Sequence, residues 1–195
     1  MSMRMRACTA VVLSCLVSSG CAPLVVGGAA ATTASVAHDR RTTGSVVEDK
    51  AIKARVLSAL NDDSELEKNS HINVSVFNGW VLLSGETPTE AFRTTAGDIA
   101  RKQEKVRRLF NELTIAAPSS MMTRSSDAWI TTKVKSSLVG LDIEGFDPTR
   151  VKVVTENGTV YLLGLVYHAE ADAAVAEAQK VSGVQRVVKL FEYLD

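Results

Sequence analysis

Apolar residues recur at every fourth position in two stretches of the chain, as Ile52, Val56 and Leu60 and again as Ile130, Val134 and Leu138. That spacing places each trio on one face of an amphipathic helix. After each helix the pattern changes to short apolar, β-branched runs around an Asn-Gly pair, Asn78-Gly79 and Asn157-Gly158. Asn-Gly supplies the positive φ angles of a two-residue type I′ turn, so each pair predicts a β-hairpin. Its strands are expected at about residues 72–77 and 80–85, and at about 151–155 and 159–166. A second helix is expected at about 89–101 and 168–181, with a buried side of small residues. That side is Ala91, Thr95, Ala96 and Ile99 in one stretch, and Ala171, Ala174, Val175 and Ala178 in the other. A last strand follows at about 106–115 and 184–194, reached by a right-handed crossover.

The two stretches are copies of each other. Asp49 to Leu60 aligns with Asp127 to Leu138, with Asp, Ile, a basic residue, Val, Ser and Leu in register. The two Asn-Gly hairpins follow in the same order, and Lys105-Val106 then stands where Gly183-Val184 stands. The sequence therefore predicts an α+β protein of two tandem α-β-β-α-β modules, each a three-stranded mixed sheet packed on two helices. The modules are placed at residues 46–115 and 126–195, with 116–125 as a linker. Modules of about 70 residues have marginal cores, so the copies are expected to support one another.

Ahead of the modules the chain reads as an address. Arg4 and Arg6 precede an apolar run from Ala7 to Val17, and small residues Ser18 to Gly20 lead into Cys21. The run is too short to span a bilayer of about 30 Å, so residues 1–20 are expected to be a cleaved signal peptide. Small residues followed by cysteine resemble a lipobox, which makes Cys21 the expected lipid attachment site. Residues 21–45 then read as a flexible tether, and Ala22 after the cysteine, by resemblance to lipoproteins of Gram-negative bacteria, implies release to the outer membrane, facing the periplasm.

Composition narrows the chemistry. The chain has 22 Lys or Arg and 22 Asp or Glu, a formal net charge of zero. That balance argues against a nucleic-acid partner. Cys8, Cys15 and Cys21 all lie near the N-terminus, so the modules offer no thiol for catalysis, metal or disulfide. His38, His71 and His168 lack metal-ligand spacing and are expected to be solvated. Asp62, Asp63, Glu65 and Glu67 are expected in a solvated loop. No catalytic motif, cofactor or metal site is predicted, and a monomer is expected.

Trp129 stands apart. It lies about 100° from the core-facing Ile130 on the helix wheel, where the first copy has Ala51. An indole with a lysine nearby suits a lipid headgroup boundary; the other reading is packing against the linker or the first module. From Ser126 to Asp195 there are seven Lys or Arg against ten Asp or Glu, a net of −3. Attraction to an anionic surface must therefore come from local groups such as Lys133 and Lys135. The directions of Lys152, Arg186 and Lys189, on strands, stay open.

The pattern Asp-x-x-Ile-x-x-[Arg/Lys]-Val-x-Ser-x-Leu, then Asn-Gly-x-Val-x-Leu-x-Gly, then Ser182-Gly183-Val184-x-x-Val187 resembles the BON domain. A lipobox followed by two such domains is similar to outer-membrane lipoproteins of that family. Lys105 departs from the pattern, standing where the family has glycine. The resemblance implies binding of anionic phospholipid by the first helix of the second module, carried to Trp129, Thr132, Lys133, Ser136 and Val139, in support of envelope integrity. The alternative is an adaptor that docks envelope proteins through the same face, and other BON proteins suggest a role in osmotic stress.

Overall fold

The structure, a computed structural model, describes residues 39–195. The expected signal peptide, Cys21 and His38 lie outside the described residues. Helix α1 runs Thr43–Asn61, several residues earlier than the apolar stripe begins, because the Thr42 hydroxyl accepts from the Ser45 N–H at its start. The short helix α2, Ser64–Asn69, occupies the expected solvated loop. Asp63 caps it by accepting from the Glu65 and Leu66 N–H groups, and Leu66 anchors it as a buried side chain. Strands β1, His71–Phe77, and β2, Trp80–Thr87, form the antiparallel hairpin. Helix α3, Glu90–Arg101, leads to β3, Arg108–Asn111, and β4, Thr114–Ile115, both parallel to β2. The single last strand expected here is broken where Leu113 turns into the core, so this sheet counts four strands.

The second module repeats the plan. Helix α4 runs Met121–Val139, β5 is Val151–Glu156, β6 is Thr159–Val166, α5 is His168–Lys180 and β7 is Arg186–Tyr193. The sheet order is β5-β6-β7, with β6 and β7 parallel. Helix α4 starts inside the expected linker because Ser120 caps it, its hydroxyl accepting from the Thr123 N–H. The small buried side of α5 is as expected, with Ala171, Ala174 and Ala178 fully buried. In α3 the buried side is rotated to Ala96, Gly97 and Ala100, while Ala91 and Thr95 face solvent. Gly97 sets that rotation, because a Cβ there would lie 2.7 Å from Asn111 Nδ2.

One interaction explains the repeated Asp and Asn-Gly. Asp49 on α1 accepts from the N–H groups of Asn78 and Gly79 at 2.7 and 2.8 Å. Asp127 on α4 accepts from those of Asn157 and Gly158, both at 2.9 Å. Both aspartates are buried, and such charge-assisted bonds are worth roughly 1.5–3 kcal/mol each. The first helix is thereby pinned to its hairpin turn in each module. Lys105 takes a φ of 63°, where Gly183 has 101°. The first module thus holds a lysine in a left-handed conformation that glycine adopts without strain.

Each module has its own helix-sheet core, and a third core joins them. Along β2, Val81 and Leu83 face the helices while Leu82 faces the other way. Leu82 and Phe77 meet Tyr161, Leu163 and Leu190, so the helix-free faces of the two sheets pack together. The expected mutual support is therefore a sheet-on-sheet contact. Burial on both faces also explains why β2 reads as a continuous apolar run.

The expected flexible tether is folded from Asp39 onward. Arg41 pairs with Asp39 and with Asp49, at 2.5 and 2.7 Å. Arg40 reaches the second module, pairing with Glu170 at 2.5 Å and lying 4.7 Å from the Tyr167 ring centre. These partners lie up to 130 residues away in sequence, which is why local polarity read as flexibility.

Candidate functional site

Helix α4 buries Asp127, Ile130, Val134 and Leu138. On a helix of 3.6 residues per turn the opposite face then carries Met122, Ser125, Trp129, Thr132, Ser136 and Val139. Trp129 is 61% exposed and Val139 71% exposed. The indole is covered by neither the linker nor the first module. Lys133 lies one turn on, its Nζ 5.3 Å from the centre of the Trp129 ring. The pair presents an amphipathic ring beside a cation, a geometry in which cation–π attraction contributes about 0.5–1 kcal/mol at an exposed position.

Of the five residues expected on this face, Trp129, Ser136 and Val139 point to solvent with Lys133 at their flank. Thr132 shares the face, but its hydroxyl donates to the Ala128 carbonyl at 2.9 Å. Its methyl group, rather than its hydroxyl, is what remains to present outward. The residues missed are Met121 and Met122, 75% and 84% exposed, which extend the apolar face through the first turn of the helix. Their signal was available in Ser120, a helix-capping residue directly before them.

A second polar feature sits between the modules. His71 Nδ1 lies 3.1 Å from Glu86 and 3.9 Å from Glu156. These three are a group among the described residues whose ligand atoms fall within 4.8 Å of one another, as a metal would require. The carboxylates are already engaged. Asn73 donates to Glu156 at 2.7 Å, the Ser119 N–H donates to Glu86 at 3.1 Å, and Asn157 donates to the other Glu86 oxygen. The trio therefore reads as a polar seam closing the sheet-on-sheet contact. His71 is only partly exposed, contrary to the solvated position expected of it. Burial raises the Glu156 carboxyl above its ordinary pKa, the Asn73 bond opposing it.

Among the described residues no helix is long and apolar enough to cross a membrane. Both modules match the BON domain family, over residues 48–117 and 126–195. The chain is 40% identical over 177 residues to an outer membrane lipoprotein, DolP, of Haemophilus influenzae, covering 90% of each chain. It is 38% identical over 156 residues to a 21 kDa hemolysin of Actinobacillus pleuropneumoniae, covering 80% of this chain and 79% of that one. It is 33% identical over 148 residues to osmotically-inducible protein Y of Escherichia coli, covering 74% of this chain and 72% of that one. Two pinned helix-hairpin modules, each matching the same family over nearly its whole length, leave one conclusion: the chain belongs to the BON-domain family and stands with its outer-membrane lipoproteins.

Proposed function

We propose that the protein binds anionic phospholipid through the exposed face of α4 and so supports the integrity of the envelope, without catalysing a reaction. The observation that carries this reading is Trp129, 61% exposed on a helix whose other large apolar residues at Met122 and Val139 are exposed too. Tryptophan and lysine together favour the boundary between acyl chains and headgroups. An acyl anchor on Cys21 would hold the module close to the bilayer. From Cys21 to Arg40 is 19 residues, an extended reach of at most roughly 65 Å. Arg40 is fastened to the second module, so the tether would leave from the lipid-reading half of the molecule. Two weak contacts joined in this way gain strength from effective concentration.

The experiment is NMR shift mapping of residues 35–195, whose described part, 39–195, forms one compact unit, with micelles of anionic and of zwitterionic lipid. Shifts along the outer face of α4, stronger with anionic lipid, weakened by salt and lost around residue 129 in Trp129→Ala, are the expected result. No shift on α4 with either lipid would sink the reading and leave this face to a protein partner, whose binding would survive in lipid-free solution.

A further inference from the structure

Beside the last turn of α4 a cleft of about 440 Å³ opens between the two modules. Phe77, Val151 and Val153, each only 4–5% exposed, form its floor, and Val139, from the exposed stripe, stands at its edge. Three cations line it, Arg41, Lys135 and Lys152. Arg41 is already neutralised by Asp39 and Asp49 and lies over the Phe77 ring, 3.9 Å from its centre. Lys152 donates to the Val76 carbonyl at 3.1 Å. Among the described residues, neither Lys152 nor Lys135 forms an ion pair.

A partly buried ammonium without a carboxylate is unusual, because burial of a charge is costly unless it is paired. Burial pushes the Lys152 pKa down to about 8, and the positive charges of Lys53, Arg41 and Lys135 push in the same direction. Asp49 alone among the named neighbours opposes them, and its carboxylate is occupied by Arg41 and the hairpin N–H groups. The cleft is therefore short of negative charge. The second module has a net of −3 (seven Lys or Arg against ten Asp or Glu), so this is a local feature rather than a general one.

We infer that this cleft seats the phosphodiester of an anionic phospholipid, with Lys152 and Lys135 as its charge partners and Val139 beside its glycerol and first acyl carbons. The inference rests on the lipid-facing reading of α4 and adds to it a specific place for the headgroup. Val139, 71% exposed at the rim, separates this ligand from a free anion, which would gain nothing from an apolar side chain. Position makes the same point, since Val139 joins the cleft to the exposed stripe. The cavity is of the size that holds small ligands. Selectivity for anionic lipid would arise in the cleft, whereas adsorption to a bilayer would arise at Trp129.

The test uses residues 35–195 as wild type, Lys152→Met and Trp129→Ala, with each fold checked by its unfolding curve. Monomeric dihexanoyl phosphatidylglycerol, dihexanoyl phosphatidylcholine and inorganic phosphate are titrated separately, reading amide shifts at Lys135 and Val151–Val153. Vesicles with and without phosphatidylglycerol are then tested by flotation. Saturating cleft shifts with phosphatidylglycerol alone are expected, weakened at least tenfold by Lys152→Met and kept by Trp129→Ala. Lys152→Met should also lose the preference for anionic vesicles, and Trp129→Ala should lose vesicle binding altogether. A cleft silent to phosphatidylglycerol while α4 responds to vesicles would overturn this inference and leave the reading of α4 standing. Cleft shifts with full vesicle binding by Trp129→Ala would do the reverse. Equal shifts with inorganic phosphate would overturn the lipid assignment in favour of a free-anion site.

Discussion

Helices α1 and α4 are the same length, 19 residues each, and stand at the same place in duplicated modules. Their buried faces are interchangeable, Asp49, Ile52, Val56 and Leu60 against Asp127, Ile130, Val134 and Leu138. Their outer faces are not. Where α4 has Trp129, Lys133 and Val139, α1 has Ala51, Arg55 and Asn61. Arg55 pairs with Glu48 at 2.9 Å and donates to the Glu104 carbonyl, so its charge serves the module. Lys133 instead lies against an exposed indole. The difference teaches that duplication preserved the pinned helix and left its solvent face free to diverge. One copy carries a mostly polar outer face at these positions, and the other an apolar one.

The comparison breaks most visibly if the shared scaffold fails. Asp127→Ala leaves two hairpin N–H groups, one of them buried, without their acceptor, and a loss of roughly 3–5 kcal/mol is expected in urea unfolding. Asp49→Ala should cost at least as much, since it also removes one of the two carboxylates that pair with Arg41. A large loss in one module only would show that the two copies are not pinned alike.

Lys152 gives a pH signature that belongs to the cleft and has no counterpart in α1. Its folded pKa lies near 8 and its ordinary value is 10.5, so between these the unfolded chain binds the extra proton. Stability should rise with pH across that window, by at most about 3 kcal/mol. Below pH 8 the full cost of the buried charge is present. Lys152→Met should remove the slope and stabilise the protein at pH 7, measured by chemical unfolding at several pH values. A slope unchanged in Lys152→Met would mean that another group titrates there.

Trp129→Ala sharpens the contrast between the outer faces. Affinity for anionic vesicles should fall at least tenfold, about 1.4 kcal/mol, while unfolding free energy changes by less than about 0.5 kcal/mol. The smallest effect is expected from the reverse graft, Ala51→Trp. Any gain in vesicle binding should stay under about threefold, or about 0.6 kcal/mol, because Arg55 is committed elsewhere and Asn61 replaces the apolar Val139. A gain that restored binding to Trp129→Ala would show that the indole alone suffices.

By itself the sequence determined whatever depends on near neighbours along the chain. Fourfold spacing specified the helices, Asn-Gly specified the hairpins, and the repeat specified two modules. The wheel placed Trp129 and Lys133 off the core, because a helical period converts position directly into direction. It went astray where a single capping residue moved a boundary, as Ser120 did in taking Met121 and Met122 from the linker into α4. Tertiary structure alone decided how the modules meet. Leu82 could not be known to face Tyr161 rather than its own helices, since a strand buried on both faces shows no alternation. The direction of Lys152, the docking of Arg40 on Glu170 and the meeting of His71 with Glu156 each join residues more than 75 apart in sequence. Charges and hydrogen bonds of that kind have no period along the chain. Only the packing of one sheet on the other brings them together.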